Sequence, residues 1–147
     1  MKLAFGSDHR GYGLKIELIK KVKEELGVEM VDFGCFSDER VDFPIYAIKT
    51  SESVAKKECD LGVVICGSGD GVCVASNKVK GIRSTLVVNK EDAKRARNHI
   101  NANVLAIGAE KTSLDEAFEI VKMLINEEFL GGDYQRRIDM LTEYENK

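Results

Sequence analysis

Leu61-Gly62-Val63-Val64-Ile65-Cys66-Gly67-Ser68-Gly69-Asp70-Gly71 is the stretch on which the fold turns. Its first five residues form an unbroken apolar run, the mark of a parallel strand buried on both faces. Val72, Ala75, Ser76 and Val79 follow with helical spacing. A thiol and three glycines therefore occupy the turn where a strand passes into a helix. Backbone N–H groups at such a turn lack intrahelical acceptors, and the helix dipole adds partial positive charge. Glycine lets a ligand come close to those groups. The stretch reads as an anion site with a nucleophile or base at its lip, or, more simply, as a tight connection whose cysteine is packed.

Moving outward, the same alternation recurs along the whole chain. Lys2 to Gly6 reads as a first strand, and Ser7-Asp8-His9-Arg10-Gly11 as a polar turn at its carboxyl end. Leu14, Leu18, Val22 and Leu26 mark one face of a helix that Gly27 ends. Val28 to Phe33 is a second strand, and Pro44 opens a helix expected to reach about Lys57. Ile82 to Val88 is a fourth strand. Asn89 caps a helix carrying Arg95, Arg97 and His99 near its end. Asn103 to Ile107 is a fifth strand, and Ser113 with Glu116 opens a helix with an apolar face of Leu114, Ala117, Phe118, Val121, Leu124 and Ile125. Gly131-Gly132 breaks that helix, and a last one covers about Tyr134 to Tyr144. Five strands alternating with helices imply a parallel sheet covered on both faces. Ligands in such sheets bind beyond the carboxyl ends of the strands, where the strand order switches. If strands one and three are neighbours, Asp8-His9 and Cys66–Gly71 meet in one crevice.

The chain's 147 residues, 44% apolar and 32% charged, suit one domain, 1–147, with a substantial core. A formal net charge of -3 argues against a nucleic-acid partner. No apolar run approaches the ~18 residues of a membrane span. The chain enters strand-like residues at Lys2 without a charged-then-apolar leader, so a cytoplasmic location is expected. Cys35, Cys59, Cys66 and Cys73 form no C-x-x-C pair, and His9 and His99 are the only histidines. That composition disfavours structural zinc and predicts free thiols.

Cys66 is the first candidate for chemistry. A helix N-terminus can lower a thiol pKa from about 8.5 into the range ~3.5–7.5. A thiolate here could serve as nucleophile or general base, with neighbouring N–H groups holding an oxyanion. That pairing suits removal of a proton next to a carbonyl. His9 and His99 can move protons near neutral pH, although a lone histidine is more often structural. Asp8 could accept from a substrate hydroxyl or cap the helix after it. Arg136 and Arg137 suit phosphate through their planar forks, or form a solvated helix face. The glycine turn follows the third strand and lacks G-x-G-x-x-G spacing, so it is a poor dinucleotide fingerprint.

Ser7-Asp8-His9, Asp42-Phe43-Pro44, Ile65 to Gly71, Ala75-Ser76-Asn77-Lys78, Gly81-Ile82-Arg83 and His99-Ile100-Asn101-Ala102-Asn103-Val104 occur in this order. In this the chain resembles the type B ribose-5-phosphate isomerases, a family that includes the subunits of galactose-6-phosphate isomerase. The resemblance implies a Rossmann-like three-layer α/β/α sandwich with a five-stranded parallel sheet. It implies a homodimer or homotetramer with a site shared between subunits, and aldose–ketose isomerisation through an enediolate without metal or other cofactor. By resemblance Cys66 is the base, Gly67, Ser68, Gly69 and Gly71 form the anion hole, and His99 opens the sugar ring. Asp8 holds sugar hydroxyls, while His9 and Arg137 contact phosphate. Asp70, Asn101 and Arg136 flank these positions and complete the expected substrate contacts. The terminal helix, about 134–144, is expected to pack on the partner.

The chain departs from its family at the substrate end. Glu110 and Asp133 stand where arginine is frequent, Ile100 where asparagine is usual, and Phe43 where tyrosine is common. Two acids in place of cations oppose a dianionic phosphate unless Arg136, Arg137, Arg10 or Lys111 take over. Ribose 5-phosphate is the leading substrate. Another sugar phosphate, an unphosphorylated sugar, and a non-catalytic subunit of a two-gene isomerase are the alternatives.

Overall fold

The computed structural model describes all residues from Met1 to Lys147. Five strands, β1 (Lys2–Ser7), β2 (Glu29–Asp32), β3 (Leu61–Cys66), β4 (Ser84–Leu86) and β5 (Val104–Gly108), form one sheet in the order β2-β1-β3-β5-β4. Every pairing is parallel. Six α-helices accompany them: α1 (Tyr12–Leu26), α2 (Phe43–Ala55), α3 (Asp70–Asn77), α4 (Lys90–Arg95), α5 (Leu114–Asn126) and α6 (Asp133–Glu145). The result is the expected Rossmann-like α/β sandwich.

Strand alternation divides the core between the two faces of the sheet. Leu3 and Phe5, Leu61, Val63 and Ile65, and Leu105 and Ile107 pack with Leu18 and Val22 of α1 and with Phe118, Ile120, Val121 and Leu124 of α5. The intervening residues Ala4, Val64, Cys66, Val104 and Ala106 pack with Ala47 and Val54 of α2 and with Val72 and Ala75 of α3. Cys66 therefore belongs to the α2/α3 face, and a one-residue shift of β3 would turn it to the other side.

Several helix ends follow their local chemistry. Gly27 takes a left-handed φ of 63° and its N–H donates to Val22 O, closing α1. Asp92 N–H donates to Asn89 Oδ1 at the start of α4, and Glu116 N–H to Ser113 Oγ at the start of α5. Helix α2 stops at Ala55, short of the expected Lys57, because Lys57 itself adopts a left-handed φ of 64°. Strand β4 is three residues long at the sheet edge, shorter than the expected run from Ile82 to Val88. Ile82 is drawn instead into a turn, its N–H donating to Val79 O. The helix expected to carry His99 is not uniform: α4 ends at Arg95, and Ala96–Ile100 forms a π-helical turn.

Candidate active site

Strand register assembles the first part of the site. Ser7 lies opposite Ile65, and Cys66 opposite Gly108. Strands β1, β3 and β5 thus end at one level, and the residues just past them, Asp8, Gly67 and Glu110, share one edge of the sheet. The switch in strand order falls here, since β2 lies on one side of β1 and β3 on the other. Asp8 N–H donates to Ile65 O, Ala109 N–H to Cys66 O and Glu110 N–H to Gly67 O, tying the three turns together.

A cavity of about 270 Å3 opens at that edge, lined by Asp8, Arg10, Phe43, Cys66, Gly67, Ser68, Gly71 and Glu110. Cys66 is 5% exposed. Gly69 N–H donates to its sulfur over 3.1 Å. Gly69 carries φ 85°, and a Cβ there would stand 2.6 Å from Leu86 Cδ1, so neither the conformation nor the space admits a side chain. The N–H groups of Gly67 and Ser68 find no acceptor in the chain. Asp70 N–H donates to Ser68 Oγ over 3.1 Å, which orients the hydroxyl at the start of α3. The turn therefore offers free N–H donors beside a buried sulfur at a helix N-terminus.

Asp8, also nearly buried, accepts at Oδ1 from the N–H groups of Arg10 and Gly11, 2.9 and 3.0 Å away. Its helix-leading role is thus real, and its second oxygen stays available to the cavity. His9 does not line the cavity. It turns toward the 34–42 loop, where Val41 N–H donates to Nδ1 over 3.1 Å. Asp70 is exposed and lies outside the lining.

His99 and the C-terminal arginines form a separate group. The His99 and Tyr134 rings stack with centroids 4.4 Å apart and planes 7° from parallel. The Arg137 guanidinium lies 5.6 Å from the Tyr134 ring centre. Arg136 is exposed and pairs with Asp133 at 3.7 Å. Asn101, with a left-handed φ of 51°, ends the π turn. Its Oδ1 accepts from Arg97 Nη1. Arg97 also donates to Ala102 O, and Arg83 Nε donates to the carbonyls of Ile100 and Asn101. Burial lowers the pKa of both guanidiniums, and for Arg97 the nearby Arg83 charge lowers it further. None of His99, Asn101, Tyr134, Arg136 and Arg137 lines the Cys66 cavity.

Lys15 is the participant that the sequence concealed. It lies on α1 within the buried line Lys15, Leu18 and Val22 and is fully buried. Its Nζ donates to Asp32 Oδ1 and to Cys35 O, both over 2.6 Å. Asp32 Oδ1 also accepts from Gly34 N–H, and Cys35 N–H donates to Ser7 O. This network fastens the start of the loop that carries Val41 against His9 and leads to Phe43 in the cavity wall. The available signal was a lysine three residues before Leu18, inside an apolar stripe. Tyr134 gave no signal, because its stack on His99 exists only across two distant segments.

A Rossmann-like sheet with a cysteine and free N–H groups at its switch point defines a class of small-ligand α/β proteins. A model of the Ribose/Galactose Isomerase family matches residues 3–141, and the chain belongs to that family. Ribose-5-phosphate isomerase B of Escherichia coli (strain K12) is 39% identical over 99% of this chain and 97% of its own length. A solved structure of Clostridium thermocellum ribose-5-phosphate isomerase B superposes with a TM-score of 0.96 at 42% identity, covering 99% of this chain and 98% of that one. The Mycoplasma genitalium ribose-5-phosphate isomerase B, solved with bound ribulose-5-phosphate, superposes with a TM-score of 0.93 at 38% identity, covering 99% and 97%.

Proposed function

We propose that this chain is an aldose–ketose isomerase converting ribose 5-phosphate to ribulose 5-phosphate, with Cys66 as the general base. The Cys66 thiolate takes the proton from C2 of the open-chain aldose. The electrons of that C–H bond form the C1–C2 double bond, and the C1 carbonyl pair moves to oxygen, giving an enediolate. One proton passes from O2 to O1, the proton on sulfur returns to C1, and C2 becomes the ketone carbonyl. The N–H groups of Gly67, Ser68 and Gly71 stabilise the oxygen charge, the Gly69 N–H stays on the Cys66 sulfur, and the Ser68 hydroxyl adds a donor. Asp8 uses its free oxygen on a sugar hydroxyl. The observation that carries the reading is the Gly69 N–H bond to Cys66 sulfur beside unused N–H donors.

His99 serves ring opening in this reading. His9, Arg136 and Arg137 hold phosphate, and Asp70 and Asn101 border the substrate. His99 and Arg137 lie apart from the Cys66 cavity within one chain, so we infer that a second copy supplies them in a homodimer or homotetramer. Helix α6 is the surface for that partner: only Ile138 of it is buried, while Met140, Leu141 and Tyr144 are exposed. Residues 1–147 act as a single isomerase domain. No helix is long and apolar enough to cross a membrane. A cytoplasmic location fits the four free cysteines.

Turnover of ribose 5-phosphate, ribose and allose, followed by NMR with Cys66→Ala as control, tests the substrate and the base together. Ribose 5-phosphate should react and Cys66→Ala should slow exchange of solvent deuterium into the product by about 10²–10⁴-fold. The carboxylates of Glu110 and Asp133 favour a second reading, an unphosphorylated sugar; turnover of ribose or allose with inert ribose 5-phosphate would establish it. Site sharing is tested by mixing Cys66→Ala and His99→Asn subunits. Random pairing restores about a quarter of the intact sites if each site draws on two chains, and none if it does not.

A further inference from the structure

We propose that Arg10 is a phosphate-contacting residue of the Cys66 cavity, and that Glu110 parks its guanidinium until substrate displaces it. The proposal rests on reading this cavity as the sugar-phosphate site and names the cation within it. Arg10 is the one cation among the residues lining the cavity, against the carboxylates of Asp8 and Glu110. Its backbone is held in place by the donation of its N–H to Asp8 Oδ1. Its side chain lies directly over the glycine turn: a Cβ built on Gly67 would stand 3.0 Å from Arg10 Cδ and 2.8 Å from Glu110 Oε1. Gly67 is therefore the floor on which the two charged side chains rest, one residue from the reactive sulfur.

The pair itself is built to be exchanged. Arg10 Nη1 and Glu110 Oε1 are 3.4 Å apart, with side chains 66% and 61% exposed. An ion pair this long and this exposed holds weakly. A phosphate dianion brings more charge and a geometry that matches the planar guanidinium fork, so it competes well for Arg10. Glu110, if it stayed in contact, would repel the same phosphate. The two residues should consequently act on substrate binding in opposite directions, which a shared structural role would not produce.

Steady-state kinetics on the full-length protein tests this. Arg10→Ala should raise KM for ribose 5-phosphate by about tenfold or more, with a smaller loss in kcat, the size of one charged hydrogen bond to phosphate. Glu110→Gln should lower KM by about two- to fivefold, the worth of an exposed competing pair. An unchanged KM in Arg10→Ala, or a raised KM in Glu110→Gln, would overturn the proposal. A wild-type protein that does not turn over ribose 5-phosphate would instead count against the proposed function. Protection of Cys66 from iodoacetamide by inorganic phosphate, read by mass spectrometry, separates the two cases without turnover. Protection in the wild type that is lost in Arg10→Ala supports the cation site; absence of protection in the wild type removes it.

Discussion

The Cys66 cavity and the His99–Tyr134 cluster are built by opposite means. The cavity is a product of backbone: three parallel strands end in register, and their turns are cross-tied by main-chain bonds from Asp8, Ala109 and Glu110. The cluster is a product of side chains: an imidazole stacked on a phenol, a guanidinium nearby, and a π turn held by Arg83 and Arg97. The first is specified by sheet pairing within one chain. The second depends on α6, which buries only Ile138 and is tied at its far end by Gly81 N–H donating to Glu145. A reaction that needs both must bring together a rigid half and a loosely held half.

The comparison breaks most visibly on the reacting groups. Cys66→Ala should lower kcat by about 10²–10⁴-fold, and His99→Asn by the lower end of that range, on the order of 10²-fold. A kcat in Cys66→Ala within a few-fold of wild type would deny Cys66 its role as base. A smaller effect, on folding, separates the scaffolds. Lys15→Met removes the buried partner of an ion pair whose carboxylate is 25% exposed and should cost about 1–3 kcal/mol in urea unfolding. Because Lys15 fastens the loop beside His9 and Phe43, the surviving folded protein should show a raised KM, while the His99 imidazole resonances stay in place. A thermal and chemical stability equal to wild type would show that the buried ammonium holds nothing.

Gly69→Ala should cost about 1–3 kcal/mol, since it forces a side chain into a left-handed conformation and against Leu86. It should also slow turnover by displacing the N–H that reaches Cys66, again without disturbing His99. The smallest effect concerns Cys73, the thiol on α3. Burial pushes the Cys73 thiol above its ordinary value of 9.0, a hydrogen bond with the Ser84 side chain opposes this in part, and the Asp70 carboxylate adds to it. The folded protein keeps this proton where the unfolded chain loses it, so stability should fall as pH rises above 9.0 toward the folded value. Cys73→Ala should remove that part of the alkaline loss, as pH-dependent urea unfolding would show.

The alternation of apolar runs with helical stripes made the five-stranded sheet legible, as did the caps at Asn89 and Ser113, because these signals act over a few residues. The turn at Cys66–Gly71 was legible for the same reason: a strand end, a thiol and glycines are neighbours in the chain. Boundaries failed where a non-local partner set them. Strand β4 is confined to Ser84–Leu86 at the sheet edge, and the helix before His99 widens into a π turn whose last carbonyl, that of Ile100, accepts from Arg83 while Arg97 reaches past it to Ala102 O. Lys15 carries no sequence signal of its partners, because Asp32 and the Cys35 carbonyl reach it only through the packed sheet and loop.

By itself, then, the sequence determined the fold class and the chemistry of one turn, through hydrophobic period and through residues adjacent along the backbone. Tertiary structure alone decided which polar groups share a cavity. Strand order set Asp8, Arg10 and Glu110 around Cys66, turned His9 toward Val41, and left His99 with Tyr134. The physical reason is that hydrogen bonds, ion pairs and stacks are short-ranged, so distant segments acquire partners only once the packed sheet has brought them within reach.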